Sequence, residues 1–439
     1  MKILERMYSP LITASVVIRS AILVIPGNSV RTPWSGGGDM DAYVLLARNL
    51  VMGQGYTYAH VPSAWRTPGY PLVIAVLMRI SGQYFPITVR LFQLLASFAA
   101  AYFCMRAARI LFDDRAGKVA LLAALYFPTL LYFSGEFLSE SLSALLVALF
   151  LWLLAEDIIR PSWISAAAMG LTVGLGTLFR PNVAALGLVA VAGSWLARPT
   201  GRRRPEIALI PLCAFLVISP WLIRNYEVFG RFLFTTKSGA DALAGILNPE
   251  SRTLPGWEDR MRGLVGHLLP NDVETNSLSR ISLGPEIELD RRCWQATRML
   301  WREMKWGALV RLTLMKWEAY WLSTDQLLEP GEISRTNRVF HATAVVVFWG
   351  LLVLAGIGLW NLKKTRPKFA AILFGYMILM TVLHTPFVMN SRIRAPLLDP
   401  LLAVLVGGYV SVASRIAIVI SVRPSNCSSI ARIAGGKNP

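Results

Sequence analysis

The chain has 439 residues, 54% of them hydrophobic and only 16% charged, with a formal net charge of +18. A water-soluble domain of this length can build its core from far less apolar material, and several stretches run for about 20 residues almost free of charge, the length a bilayer demands. A soluble enzyme is therefore excluded. A nucleic-acid binder is excluded too, because Lys and Arg gather between apolar runs and at their ends rather than along one polar face.

In chain order, the first apolar segment, residues 8–26, follows Lys2 and Arg6. It is longer than a signal-peptide core, and no small-residue cleavage pattern follows Pro26, so it reads as an uncleaved span. Arg19 inside it must either snorkel or face the bundle interior. Further spans are expected at 88–111, 118–135, 137–157, 162–179, 182–197, 206–224, 341–361, 369–387 and 396–415, with kinks at Pro128, Pro211 and Pro220. Pro71–Ile80 is apolar but too short to cross. If it dips in and returns, then Arg115, Lys118, Arg160, Arg198, Arg202, Arg203, Arg204, Lys363, Lys364, Arg366, Lys368 and Arg415 all fall inside, as the positive-inside rule requires. It is therefore assigned as a re-entrant or interfacial helix.

The expected protein is an all-α polytopic membrane protein. It has about ten transmembrane helices plus outer-face interfacial helices, sits in the inner (plasma) membrane and keeps both termini cytoplasmic. Residues 1–224 form an N-terminal transmembrane module containing a long first outer loop (27–87). Residues 225–340 form an outer-face (periplasmic) loop domain, 341–421 the C-terminal helices and 422–439 a polar tail. A bare bundle needs neither long loop, so chemistry is expected there.

The first loop holds Gly36-Gly37-Gly38, then Asp39 and Asp41, then an amphipathic helix with Tyr43, Leu46, Ala47 and Leu50 at i, i+3, i+4 and i+7, ended by Gly53 and Gly55. That helix is expected on the membrane surface. In the second loop a polar part (about 229–285) precedes a helical part (about 286–323) bearing Trp294, Trp301, Trp306, Trp317 and Trp321. Asp39 and Asp41 are the acidic pair of the first loop. They can serve as a proton acceptor or simply favour the dipole at the start of the following helix.

Arg66, Arg90, Arg180, Arg224, Arg392 and Arg394 recur at the outer ends of spans, against the positive-inside trend. Each alone fits a snorkelling side chain or an ion pair with Glu136, Glu140 or Asp399, but together they suit an anionic lipid headgroup. Cys104, Cys213, Cys293 and Cys427 have no metal or disulfide spacing, and His60, His267, His341 and His384 are too dispersed for a metal site.

The ordered segments GDMDAYVLLARNL, RTPGYPLVIAVL, YFPTLLYFSGEFLSESL, GLTVGLGTLFRP, SPWLIRNYEVFG and NSRIRAPLLDPLL resemble the GT-C type membrane glycosyltransferases. The resemblance is to the branch of the protein O-mannosyltransferases, the lipid A aminoarabinose transferase and bacterial lipopolysaccharide-sugar transferases. It implies an inverting transfer of a sugar from a polyprenyl-phosphate donor to an outer-face glycolipid, polysaccharide or protein, with the bilayer as the other partner and no nucleic acid. It places the catalytic acid on Asp39, with Asp41 assisting or holding a cation. Arg66, Arg90, Arg180, Arg224, Arg392 and Arg394 are accordingly the candidates for the donor phosphate, and Tyr43, Tyr70, Glu136 and Glu140 for substrate or cation binding. Glu136 and Glu140, read from the residues alone, flank an outer turn one helical turn apart, where the alternative is structural pairing with an arginine. No cofactor is required by any motif, and a divalent cation is compatible with the acids. The competing reading is a transporter or flippase of an anionic lipid or glycan, which predicts inverted repeats not seen in the chain. A non-catalytic envelope scaffold is a third.

Overall fold

In the computed structural model the described residues are 2–24, 39–58, 61–196, 205–247, 286–322 and 335–422. The expectations for Gly36–Gly38, His60, the basic cluster at 198–204, residues 248–285 with His267, and the tail with Cys427 lie outside them.

The regular secondary structure among the described residues is helical except for a two-stranded antiparallel ladder, β1 (Thr57–Tyr58) and β2 (Val61–Pro62), an addition to the all-α expectation. The first half contains α1 (Lys2–Val24), α2 (Asp39–Val51), α3 (Gly69–Ser81), α4 (Phe85–Leu111), α5 (Asp114–Tyr126), α6 (Pro128–Phe133), α7 (Glu140–Ile159), α8 (Trp163–Phe179), α9 (Leu186–Leu196) and α10 (Leu209–Phe229). There follow α11 (Ser238–Leu247), α12 (Glu286–Glu303), α13 (Trp306–Trp321), α14 (Arg335–Thr365), α15 (Pro367–His384) and α16 (Ser391–Val422).

Six helical stretches among the described residues are long and apolar enough to cross a bilayer: Gly69–Leu111, Glu140–Ile159, Pro205–Phe229, Ala342–Thr365, Pro367–His384 and Ser391–Ser411. By this measure the count of ten is not reached, for local reasons. The run expected at 118–135 is cut at Phe127, which is extended before Pro128 as a residue preceding proline tends to be. Pro181 ends α8 in the same way, leaving α8 and α9 short. The segment Pro71–Ile80 lies in a separate helix, α3, joined to α4 by a 3-10 turn, Gly82–Tyr84.

The helix α16 is central: from Ala395 to Val406 its side chains are almost all buried, against α4, α5, α7 and α14. A second group pairs α8 with α10 at close range. A Cβ at Gly174 would meet Val217 Cβ at 2.7 Å and Ala214 O at 2.9 Å, and Gly170 one turn earlier also faces α10. Small residues spaced by four let apolar helices approach where dispersion, not hydrophobic burial, drives association.

Three expectations resolve here. Arg19 faces the interior, 1% exposed, donating to Ser15 Oγ at 2.6 Å and Ser97 Oγ at 3.3 Å. Helix α2 exists with the expected face, and it buries Ala42, Tyr43, Val44, Leu46, Ala47 and Asn49 and packs on α3. The polar part at 229–285 contains a helix, α11, and the helical part that follows is two helices, α12 and α13, broken at Met304–Lys305.

Candidate active site

At one end of the bundle the starts of α2, α7 and α16 and the end of α8 converge. Asp39 and Glu140 both lie in first turns, of α2 and α7, where the unpaired N–H groups of a helix favour negative charge. Arg180 is the C-cap of α8, with φ −146° and ψ 121° ahead of Pro181, so the chain turns out of the helix there. Arg392 lies in the first turn of α16, a place the helix dipole makes unfavourable for a cation. Its two carboxylate partners offset that cost.

These side chains form a continuous chain of ion pairs. The Arg66 guanidinium bonds Asp39 Oδ1, and Arg392 Nη2 lies 2.7 Å from Asp39 Oδ2. Arg392 Nε bonds Glu140 Oε1 at 2.6 Å, and Arg180 Nη2 reaches the same oxygen at 2.5 Å. Three guanidiniums thus share two carboxylates, leaving one positive charge in excess. The Glu140 side chain is 1% exposed and its Oε2 has no hydrogen-bond partner, whereas Asp39 and Arg392 keep 22% and 27% of their side-chain surface. Burial by itself would raise the Asp39 carboxyl. The charges of Arg66, Arg392 and Lys237 overcome it and hold the group well below the usual carboxylate range.

Asp41 is half-buried in the same first turn. Residues i and i+2 of a helix do not share a face, so the two aspartates cannot act on one point from one side. Tyr43 packs beside Arg66, whose guanidinium carbon is 5.9 Å from the ring centroid, and meets Tyr70 edge-on at 5.0 Å. Tyr70 leads to a second polar layer. Its hydroxyl donates to Gln93 Oε1 at 3.2 Å, and Gln93 Nε2 donates to the Glu136 carbonyl at 2.6 Å. Arg90 belongs to this layer, interacting electrostatically with Glu136 and lying 5.1 Å from the Phe137 centroid.

The six arginines grouped by sequence are thereby divided. Arg66, Arg180 and Arg392 line the site, and Arg90 stands one layer behind it. Arg224 donates to the Ser63 and Tyr56 carbonyls at 2.8 and 2.9 Å and packs over Trp221, which makes it a clamp on the segment between α2 and α3. Arg394 is wholly buried in the bundle. It pairs with Asp399 at 2.9 Å and donates to the Tyr320 carbonyl at 2.9 Å. Arg394→Met leaves Asp399 buried beside only the Thr129 hydroxyl and is expected to cost about 3–5 kcal/mol. Thermal unfolding in detergent reads this directly. A weaker donor Kd with an unchanged Tm would return Arg394 to the phosphate site.

Several participants carry no sequence signal. Glu286 accepts from Ser63 Oγ, the Ala64 N–H and Thr236 Oγ1, and Lys237 adds positive charge near Asp39 while pairing with Asp241 at 2.9 Å. Lys316 donates to the Thr385 carbonyl at 2.9 Å, a cation capping the C-terminus of α15, and its burial lowers the ammonium to about 8. His384 Nδ1 lies 2.6 Å from the Met380 carbonyl and Nε2 2.7 Å from Asn182 Nδ2, a neutral, structural arrangement. Among the described residues no group of three His, Cys, Asp or Glu gathers where it could hold a metal ion.

The fold is that of the GT-C type membrane glycosyltransferases, the class named by the sequence resemblance. The sequence profile described as dolichyl-phosphate-mannose-protein mannosyltransferase matches residues 65–223, the stretch from Trp65 into α10. Among solved structures, the Archaeoglobus fulgidus oligosaccharyltransferase AglB, in complex with an inhibitory peptide and a dolichol-phosphate, aligns at TM-score 0.54 and 15% identity over 99% of this chain and 53% of that one. Its apo form gives TM-score 0.53 and 15% identity over 98% and 52%. ArnT from Cupriavidus metallidurans aligns more loosely, at TM-score 0.43 and 17% identity over 94% and 79%. The chain spans about half the length of the oligosaccharyltransferase structures it matches. No curated protein sequence matches.

Proposed function

We propose that this chain is an inverting glycosyltransferase that moves a hexosyl- or pentosyl-type sugar from a polyprenyl-phosphate donor to a glycolipid, polysaccharide or protein acceptor on the outer face of the membrane. The observation that carries this reading is the Asp39 carboxylate held by Arg66 and Arg392, in a partly open cluster with one uncompensated positive charge. The donor's phosphodiester brings the missing negative charge, and guanidiniums match phosphate oxygens bidentately.

In the resting arrangement Asp39 is a poor base, because two guanidiniums stabilise its charge. A phosphate that draws Arg392 towards itself loosens that grip and raises the basicity of Asp39 where it is needed. The acceptor oxygen then attacks the anomeric carbon from the face opposite the phosphate, and Asp39 takes the acceptor proton. The bond from the anomeric carbon to the phosphate oxygen breaks, and its electron pair leaves on the polyprenyl phosphate, where Arg66, Arg180 and Arg392 stabilise it. No second carboxyl is needed as an acid, because the leaving group is already a stable anion. The lipid tail confines the donor to the bilayer, so the encounter is close to intramolecular.

The site lies at the end of the bundle away from Arg160, Lys363, Lys364 and Arg366. With those residues cytoplasmic, the site faces outward and both termini inward. The test is purified full-length protein in detergent with radiolabelled polyprenyl-phosphate sugar and candidate acceptors. Acceptor-dependent release of polyprenyl phosphate is expected, and labelled lipid that crosses vesicle membranes with its sugar bond intact would assign transport instead. Because three guanidiniums already neutralise the leaving group, transfer is expected to survive EDTA. Loss on chelation, restored by a divalent ion, would assign a cation to the acidic turn of α2.

A further inference from the structure

Arg66 owes its place to residues far from it in sequence. The residues just before it, Ser63–Trp65, lie between the irregular segment at 235–236 and the start of α12. Thr236 N–H donates to the Ala64 carbonyl at 3.1 Å and Thr235 Oγ1 to the Trp65 carbonyl at 3.3 Å. The Trp65 ring, 2% exposed, is built into a small core with Ala240, Leu243, Leu289, Cys293 and Ala296 of α11 and α12. At the centre of this contact is the Glu286 carboxylate, 3% exposed. Its Oε1 accepts from Ser63 Oγ at 2.6 Å, and its Oε2 accepts from the Ala64 N–H at 2.9 Å and Thr236 Oγ1 at 2.8 Å.

We infer that Glu286 is a positioning residue for the reaction: by clasping Ser63, Ala64 and Thr236 together it holds the Trp65–Arg66 step so that Arg66 stays on Asp39. The inference rests on the transferase reading for its consequence, but not for the clasp itself. A buried carboxylate is costly unless hydrogen-bonded. Burial raises this one above its ordinary value even against its three donors and the nearby Arg224 charge. Three donors from two separate connecting segments meet that need at a single side chain. Consecutive residues then carry the effect to the site. Trp65 is anchored in the α11–α12 core, and the next residue, Arg66, with its carbonyl accepting from Tyr56 OH at 2.9 Å, reaches Asp39. Small displacements of such a group matter, since a shift of about 1 Å can lower turnover by about 100-fold.

The test uses Glu286→Leu, Glu286→Gln and Arg66→Ala in the full-length protein. A Gln can keep all three contacts, with its carbonyl oxygen in place of Oε2 and the Ser63 hydroxyl turned to accept from its amide, whereas Leu keeps none. In Glu286→Leu, hydrogen exchange of the Ala64–Thr67 amides is expected to accelerate at least tenfold and kcat to fall about 10- to 100-fold. Glu286→Gln is expected to stay near wild type in both. In the Arg66→Ala background Glu286→Leu should add little further loss, because both act through one group. Exchange that does not change in Glu286→Leu overturns the clasp, and fully additive losses in the double variant overturn its action through Arg66. A wild-type protein that exchanges normally at this segment yet transfers no sugar would sink the transferase reading and leave the clasp standing.

Discussion

Asp39→Asn is expected to lower sugar transfer by about 10²–10⁴-fold, the range for loss of a positioned general base. An amide cannot take the acceptor proton, and among the described residues the other carboxylate of the cluster is not placed to do so: Glu140 is buried and its Oε1 already holds Arg180 and Arg392. The variant also weakens the hold on Arg66, whose side chain is only 6% exposed, so a stability loss of about 1.5–3 kcal/mol is expected alongside. Rates must therefore be taken per folded molecule. Asp41→Asn, two residues along the helix and on a different face, should cost less than about tenfold. An Asp39→Asn enzyme within tenfold of wild type would remove this residue from the mechanism. The electrostatics have a pH consequence with a definite sign. Since the folded protein holds the Asp39 carboxyl below its unfolded value, that stabilisation is present above about pH 4 and is lost as pH falls further. In Asp39→Asn the acid side of the stability profile should be flatter.

The second large effect is at Arg392, the one cation touching both carboxylates. Arg392→Met is expected to lower kcat/KM for the donor by about 10²–10³-fold, the scale for removing one preorganised donor to a developing anion. Its effect on Tm should be small. The variant leaves Asp39 with Arg66 and Glu140 with Arg180, and it takes a cation away from the N-terminus of α16, where the dipole opposes it. Arg392→Lys should recover only part of the rate, because a single ammonium cannot span two carboxylates as the forked guanidinium does. Wild-type kcat/KM in Arg392→Met would mean that the excess charge of the cluster serves the fold and not the donor.

Particular residues show how far local reading reaches. Pro128 was legible as a kink because proline acts on its immediate neighbours, and the amphipathic run from Tyr43 to Leu50 was legible as a helix because its period is local. The interior setting of Arg19 was one of two readings left open, since an arginine in an apolar run announces its cost and not its partner. That Arg90, Arg224 and Arg394 stand apart from the Arg66–Arg180–Arg392 group had no local signature. All six look alike at the ends of apolar runs. Glu286 was not legible at all: it opens one helix among many, and its partner Ser63 is 223 positions away.

From sequence alone came the membrane bundle, its two long polar connections, an acidic turn opening the first helix after α1, and an excess of arginine at one set of helix ends. These follow from hydropathy, period and turn chemistry, which act over a few residues. The tertiary structure alone chose which arginines share Asp39 and Glu140, packed helix α2 on α3, and tied the two connections together through Glu286. Ion pairing falls off over a few ångströms, and the groups concerned, such as Glu140 and Arg392 at a separation of 252 residues, become neighbours only once α7 and α16 have packed.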